Sequence, residues 1–472
     1  MADPFLLAHV VAPLFFDIGG ALSPVSIRDQ MIRGRMIVDR AVAERLIDRE
    51  HRSLLVIGAG AAGATAAIRA ARHGVRTWLI DIAPRPFSRQ SSCSTRWVDP
   101  THYDWPVTHW PQGYYPWIPP SMPLPWGANL ANNLARLWTV QLGWALRRYP
   151  GLLTVRYRTR VNSVGPVLPG GIQVVLGTPP HGAPVIGTYT FGMVVSCAGF
   201  GTEKCTVGSY SGFRFWDTDP FEQPNLGLPP SQHLRVLISG GGDGALQDYL
   251  RIFTRMPAGK LYEQLIVNSV LKPVLVEVEP LVHGAEDQAQ RAYIWGSPNT
   301  NHHDHELHRV LHGAHEKAVD RIHRETGAWK EVCNIFDGIV SSVFGKDDAI
   351  PDVELIYSCE HFSRCYALNH FLVLLVAKYL QEQHGKQTLR GYTKVTDVTG
   401  TTHTCKKNPV LCHKEEHTIT FERADCFRSG GNPSQKDYNV VTIRHGVQPP
   451  PLWSGGRPIA QPRQTLPYHA AV

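Results

Sequence analysis

Several things are scarce in this chain of 472 residues, and each absence removes a class of protein. Nine cysteines are scattered singly with no CxxC pair, so neither a disulfide framework nor a paired-cysteine zinc module organises the fold. No HExxH run occurs, which removes the helix-borne zinc-hydrolase pattern. Charge of one sign is also scarce. The net excess is +7, with Lys and Arg dispersed, so no basic patch points to nucleic acid. The apolar run Phe5–Phe16 has no basic region before it, unlike a secretory signal, and Phe371–Ala377 is too short to span a bilayer. The expectation is a globular protein of two or three domains in a reducing, cytoplasmic setting. It would act on a small molecule, with no nucleic-acid or membrane partner and an oligomeric state the sequence leaves open.

The most informative stretch is His51–Asp81, HRSLLVIGAGAAGATAAIRAARHGVRTWLID. The apolar run Leu54–Ile57 reads as a buried strand. Gly58, Gly60 and Gly63, interleaved with Ala59, Ala61 and Ala62, read as a tight turn opening a helix that lasts to His73. Val75–Ile80 reads as a second strand, closed by Asp81. This is the dinucleotide-binding pattern in its required context. The first glycine permits the turn, the second lets backbone approach a pyrophosphate, and the third lets helix and strand pack closely. The helix amino terminus offers N–H groups and a positive dipole end to phosphate, and Asp81 is placed to accept ribose hydroxyls.

Before this stretch, Ile27–Leu46 has apolar residues at helical spacing, and its arginines are expected to form the wet face. After it, residues 84–127 are rich in Trp, Tyr and Pro and read as an irregular excursion suited to wall a pocket or to brace a neighbouring domain. Its polar and aromatic candidates are Arg89, Gln90, Arg96, Asp99, His102, Tyr103, Asp104 and Trp105. A helix is expected over Asn129–Arg148 and strands over Leu153–Tyr157, Gly171–Val175 and Ile186–Phe191. A further buried strand, Met193–Ser196, ends in the small-residue turn Cys197–Gly201.

Residues 53–201 resemble the FAD-binding domain of flavoproteins built from two dinucleotide-binding domains. The likeness rests on Gly58, Gly60, Gly63 and Asp81 and, more loosely, on Ala198 and Gly199. It implies that the glycines hold FAD pyrophosphate and Asp81 the adenosine ribose. In the same family an NAD(P)H domain follows. Here Leu234–Phe253 supplies a second strand, glycine turn and helix, with Gly240, Gly242, Gly244 and Ala245 at the turn. Asp243 and Asp248 put negative charge there, and Asp243 is expected to cap the helix. No second strand ending in an acid, or in a basic pair for a 2′-phosphate, is evident downstream.

The fold expectation is α/β. A Rossmann-like FAD/NAD(P)-binding domain at 51–219 follows a helical extension at 1–50. A second Rossmann-like domain at 231–446 carries a mainly helical insertion and a small β region, and a flexible tail covers 447–472. The stretch 220–233 has linker composition.

Two histidine-bearing stretches need weighing. His305, His308, His312 and His315 stand at helical spacing beside the apolar stripe of Asp304–His323, and a polar flank explains them better than a metal does. His403, Cys405, Cys412, His413 and His417 match no zinc module, so no metal site is expected. The strand Asn439–Ile443 ends in Arg444, His445 and Gly446, and its position resembles the second strand-to-glycine turn that flavoproteins carry after the NAD(P)H domain. The Gly-Asp motif with which that family usually ends is missing after Gly446.

The resemblance implies an FAD-dependent oxidoreductase reduced by NAD(P)H, with monooxygenation of a small molecule as one outlet. One alternative is a single-cysteine peroxidase or disulfide reductase using Cys93, whose thiolate a helix amino terminus or Arg96 would stabilise. The other is a non-catalytic dinucleotide-binding sensor or scaffold.

Overall fold

The computed structural model describes residues 3–18, 26–50, 52–100, 105–106, 122–179, 184–199, 201–219, 221, 234–295, 301–345, 350–363, 365–400, 417–424, 433–448, 452–454 and 457–459. The chain forms two compact units. The first comprises Met1–Pro100, Trp110–Thr202 and Gln448–Val472, and the second Thr101–His109 and Glu203–Val447.

In the first unit a six-stranded sheet runs in the order Val10–Ala12, Phe15–Asp17, Met193–Ser196, Leu54–Ile57, Thr77–Ile80, Leu153–Arg156. All neighbours from Phe15–Asp17 onward are parallel, and only Val10–Ala12 is antiparallel. Parallel strands covered on both faces need unbroken apolar runs, and Leu54, Leu55 and Val56 are wholly buried. The alanine-rich helix Ala61–Arg72 follows the first glycine turn. Against it lies Ile27–Ala43, capped by Ser26, whose hydroxyl accepts from the Asp29 N–H. The helices meet where Gly34 has no side chain, since a Cβ there would stand 2.6 Å from the Ala62 carbonyl oxygen. Arg160–Leu168, Gly171–Gly177 and Val185–Phe191 form an antiparallel meander, its core filled by Val161, Val164, Ile172, Val174, Leu176 and Phe191.

Three expectations change here. The segment before residue 51 is not only helical, because Phe15–Asp17 enters the sheet. Arg28 and Arg33 are 6% and 1% exposed, so these two arginines face the interior rather than water. The first unit gives way to the second at Thr202, ahead of the expected 219, and the tail pairs Leu452–Ser454 with Arg457–Ile459.

The second unit has a four-stranded parallel sheet in the order Leu389–Arg390, Asp352–Ile356, Arg235–Ser239, Val440–Ile443. Asp243–Thr254 follows the central strand. Four more helices, Ala258–Ile266, Leu271–Trp295, Asn301–Arg324 and Thr326–Phe344, intervene before Asp352–Ile356, which the buried helix Ala367–His384 follows. The helical insertion thus separates consecutive strands, and the five-residue strand beyond it gave no clear sequence signal. Thr393–Thr399, His417–Arg423 and Ser434–Tyr438 form an antiparallel sheet. Val440–Ile443 lies beside Arg235–Ser239, so the Arg444-His445-Gly446 turn closes a strand of the second unit and not a returning strand of the first. Among the described residues no helix is long and apolar enough to cross a membrane.

Candidate functional site

Parallel registration brings the candidate residues of the first unit to one sheet edge. Ser196 pairs with Ile57 on one side and Asp17 on the other, and Ile57 pairs with Ile80. The turns after these strands share the carboxyl edge, where open α/β sheets bind ligands at a reversal of strand order. Such a reversal occurs here. From Leu54–Ile57 the chain steps to Thr77–Ile80 and Leu153–Arg156, then returns to the opposite side with Met193–Ser196.

Each fingerprint glycine meets a distinct demand. Gly58 has φ +103° and a Cβ there would stand 2.5 Å from the Cys197 carbonyl oxygen, so both conformation and space exclude a side chain. A Cβ on Gly63 would run into the Gly58 carbonyl oxygen. Gly60, at the amino terminus of Ala61–Arg72, has no capping side chain, and among the described residues nothing lies within 4 Å of where its Cβ would be. Gly199, φ +83°, is equally open, and Ala198 is exposed. Among the described residues, the start of this helix thus has open space at Gly60 and Gly199, the surroundings a pyrophosphate needs at a helix amino terminus.

Asp81 is fixed by the turn it serves. One carboxylate oxygen accepts from Ala59 N–H at 2.6 Å and the other from Ala83 N–H at 2.7 Å. Burial pushes its carboxyl up, against the pull of those two donors and of the Arg89 charge. Arg89 also donates to the Gly201 carbonyl at 2.9 Å, tying the excursion to the Cys197–Gly201 turn. Asp17, 6% exposed, stands at the same edge, and the Cys197 thiol is pushed up by burial and then by the Asp17 charge. Sequence reasoning does not reach Asp17, because the three-residue strand that ends on it joins this edge only through its pairing with Met193–Ser196. The available signal was Asp17 with Gly19 and Gly20 between an apolar run and a helix.

The second turn has the same backbone logic and different surroundings. Gly240 has φ +145°, and a Cβ there would meet the Arg444 carbonyl oxygen. Gly242 is the helix cap residue, but Ser363 Oγ is 3.3 Å from its Cβ position. Asp243 is not the cap. Its Oδ1 accepts from Tyr366 N–H and Asn369 Nδ2, each at 2.8 Å, and burial pushes the carboxyl up to about 7. Asp248 is wholly buried and accepts from Arg444 Nε at 2.8 Å.

Cys93 is wholly buried, and its Sγ lies 3.9 Å from Thr95 Oγ1. It follows the short helix Ser88–Ser91 at its carboxyl end, with its N–H donating to the Gln90 carbonyl. Arg96 is 2% exposed. Trp105 stacks on Phe371, ring centroids 5.0 Å apart, as part of the second unit's core. Gln90 and Asp99 are half-buried. His102, Tyr103, Asp104, His403, Cys405, Cys412 and His413, together with the His305 side chain and nearly all of 220–233, lie outside the described residues.

The histidines of Asn301–Arg324 depart from expectation, because His312 and His315 are interior and not a polar flank. His312 Nδ1 is 2.8 Å from His370 Nε2, and His315 stacks on His370 with centroids 4.1 Å apart. Burial holds His312 and His315 down to about 4, and His370 well below its usual value. Among the described residues no three His, Cys, Asp or Glu are arranged to hold a metal.

The fold and first turn define an α/β protein with a Rossmann-like first unit. Residues 56–120 match the family model of the NAD(P)-binding Rossmann-like domain. No curated protein matches the chain. Similar solved structures include thioredoxin reductase of T. acidophilum (12% identity, 84% of this chain and 77% of that chain covered, TM-score 0.34). Bacillithiol disulfide reductase Bdr of Staphylococcus aureus has 12% identity over 84% and 77%, with TM-score 0.40. DfoA bound to FAD, a cadaverine monooxygenase of Erwinia amylovora, has 10% identity over 85% and 79%, with TM-score 0.37.

Proposed function

We propose that the protein is an FAD-dependent oxidoreductase whose first unit holds the cofactor. The observation that carries this reading is the open helix terminus at Gly60, bounded by Gly58, Gly199 and the anchored carboxylate of Asp81. Backbone N–H groups from Gly60 to Ala62 would meet the pyrophosphate, and Asp81, held by Ala59 and Ala83, would present oxygen to the adenosine ribose. Asp81 favours hydroxyls over a 2′-phosphate, because a second negative charge beside a partly buried carboxylate is unfavourable. When bound, FAD supplies a two-electron acceptor, and the chain's part is binding and orientation. Full-length protein reconstituted with FAD should retain absorbance near 450 nm, roughly the usual position for bound flavin. Protein that stays colourless and shows no FAD binding by calorimetry defeats the proposal and leaves the sensor or scaffold reading.

Two outlets fit this cofactor: monooxygenation of a small molecule, and peroxide or disulfide reduction through Cys93. The second would require the buried Cys93 to become accessible, since the thiolate is the nucleophile. Cys93→Ser with flavin retained and peroxide turnover lost supports that outlet, and unchanged turnover removes it.

A further inference from the structure

The second glycine turn would be the docking place of a nicotinamide dinucleotide in a two-nucleotide flavoprotein, yet its surroundings do not fit that ligand. A pyrophosphate at a helix amino terminus needs backbone N–H groups facing free space, with no competing negative charge. At Gly60 the space is open among the described residues, and the neighbouring Asp81 carboxylate is already engaged by the Ala59 and Ala83 N–H groups. At the second turn the chain's own groups stand there. Ser363 N–H donates to the Gly241 carbonyl at 2.9 Å, bringing the loop before Ala367–His384 onto the turn. That loop puts Ser363 Oγ at 3.3 Å from the Cβ position of Gly242, and Tyr357 Cβ at 3.2 Å from that of Gly241. Asp243, where the first turn has Ala61, brings a carboxylate into the first helical turn, and its bonds to Tyr366 and Asn369 tie it to the start of Ala367–His384. On the other side Arg444 Cδ and Phe215 Cδ2 both lie 3.4 Å from the Cβ position of Gly244. Arg444 packs beside this turn with its Nε on Asp248 at 2.8 Å and its Nη1 on the Phe213 carbonyl, which leaves only the buried Nη2 without a partner among the described residues.

We infer that the second unit keeps a dinucleotide-binding fold whose phosphate position is filled by the chain itself, so that neither NADH nor NADPH docks at Gly240, Gly242 and Gly244. A flavin in the first unit would then take its electrons from a donor that does not dock at this turn. The inference does not rest on the flavin assignment, because it concerns the second turn alone. Hydrogen exchange of the full-length protein, read on peptides covering 54–64 and 236–248, tests it with NADH, NADPH and FAD added separately at on the order of 1 mM, the upper end of ordinary nucleotide affinities. Exchange in 236–248 is expected to change less than twofold with NADH or NADPH. Saturable protection of 240–246 by either overturns the inference. Protection by NADH confined to 54–64 supports closure of the second turn and reassigns the first. Absence of FAD protection at 54–64 counts against the flavin proposal without touching this one.

Discussion

The turns at Gly58 and Gly240 begin alike. Each follows a buried parallel strand, each opens on a glycine with positive φ pressed against a neighbouring carbonyl, and each leads into a twelve-residue helix capped by glycine. They part at the helix terminus. Ala61 and open space follow Gly60, whereas Asp243 follows Gly242, with Ser363, Phe215 and Arg444 crowding in. A glycine pattern therefore reports two separable things. The first and third glycines serve the strand-turn-helix fold, and the space beside the second serves a ligand.

The largest expected difference between the units is in acid. His312, His315 and His370 of the second unit, and His9 of the first, are held below their usual value, mainly by burial. A base with a depressed folded pKa stabilises the fold above the unfolded value near 6.5, and that stability is lost as pH falls from there toward about 4. Each such histidine contributes a slope of about 1.4 kcal/mol per pH unit within its window. Asp243 opposes the trend, because a raised carboxyl gains stability as pH falls from about 7 toward 3.8. With His312, His315, His370 and His445 lowered against the raised Asp243 and Glu316, the second unit is the more acid-labile, so peptides of 306–324 and 367–384 should lose exchange protection at pH 5 before peptides of 54–80. Equal loss in both sets would refute this.

Next in size, Gly58→Ala and Gly240→Ala should each destabilise their units by about 2–4 kcal/mol, since an L side chain is strained at these φ values and its Cβ collides with carbonyl oxygen. Urea unfolding followed by circular dichroism measures the cost. If only Gly58→Ala is costly, the two turns are not equivalent elements of the fold.

The strand, glycines, helix and Asp81 of the first unit could be read in the sequence because strong local rules govern them. Buried parallel strands need continuous apolar residues, and the tight turn needs glycine. What could not be read depends on distant pairing. Phe15–Asp17 is three residues long, and only its registration with Met193–Ser196 makes it part of the edge that carries the turns. His312 and His315 looked like a polar flank, since no local pattern announces that His370 and Ala367–His384 will cover them. The filling of the second turn likewise comes from Phe215, Ser363 and Arg444, far apart in sequence. Asp243 was the one local hint.

The paired acids sharpen the comparison at smaller scale. Asp81→Asn removes the charge that accepts from Ala59 and Ala83, and hydrogen bonds to a charged group contribute about 1.5–3 kcal/mol each. FAD affinity by calorimetry should fall about tenfold or more. Asp243→Asn should leave nucleotide binding unchanged and stabilise the second unit at pH 8, where the desolvated carboxyl is ionised, by about 1 kcal/mol. The gain should shrink as pH falls through 7 toward 3.8. A constant gain across that range would show that the buried charge is not its source.

The smallest structural change divides the turns most directly. At Gly60 and Gly242 the backbone is extended, with φ −79° and −105°, so alanine is conformationally tolerated at both. Replacing glycine by alanine at a helix cap should cost less than about 1 kcal/mol of stability. The added methyl group in Gly60→Ala enters the free space beside the helix terminus, where the pyrophosphate would lie, so FAD affinity should drop about tenfold while the unfolding midpoint hardly moves. In Gly242→Ala the methyl group meets, among the described residues, Ser363 Oγ alone, and neither FAD nor NADH affinity should change. Equal loss of FAD binding in both variants would mean that the second turn also contributes to the flavin site, and the separation of fold glycines from ligand glycines would fail.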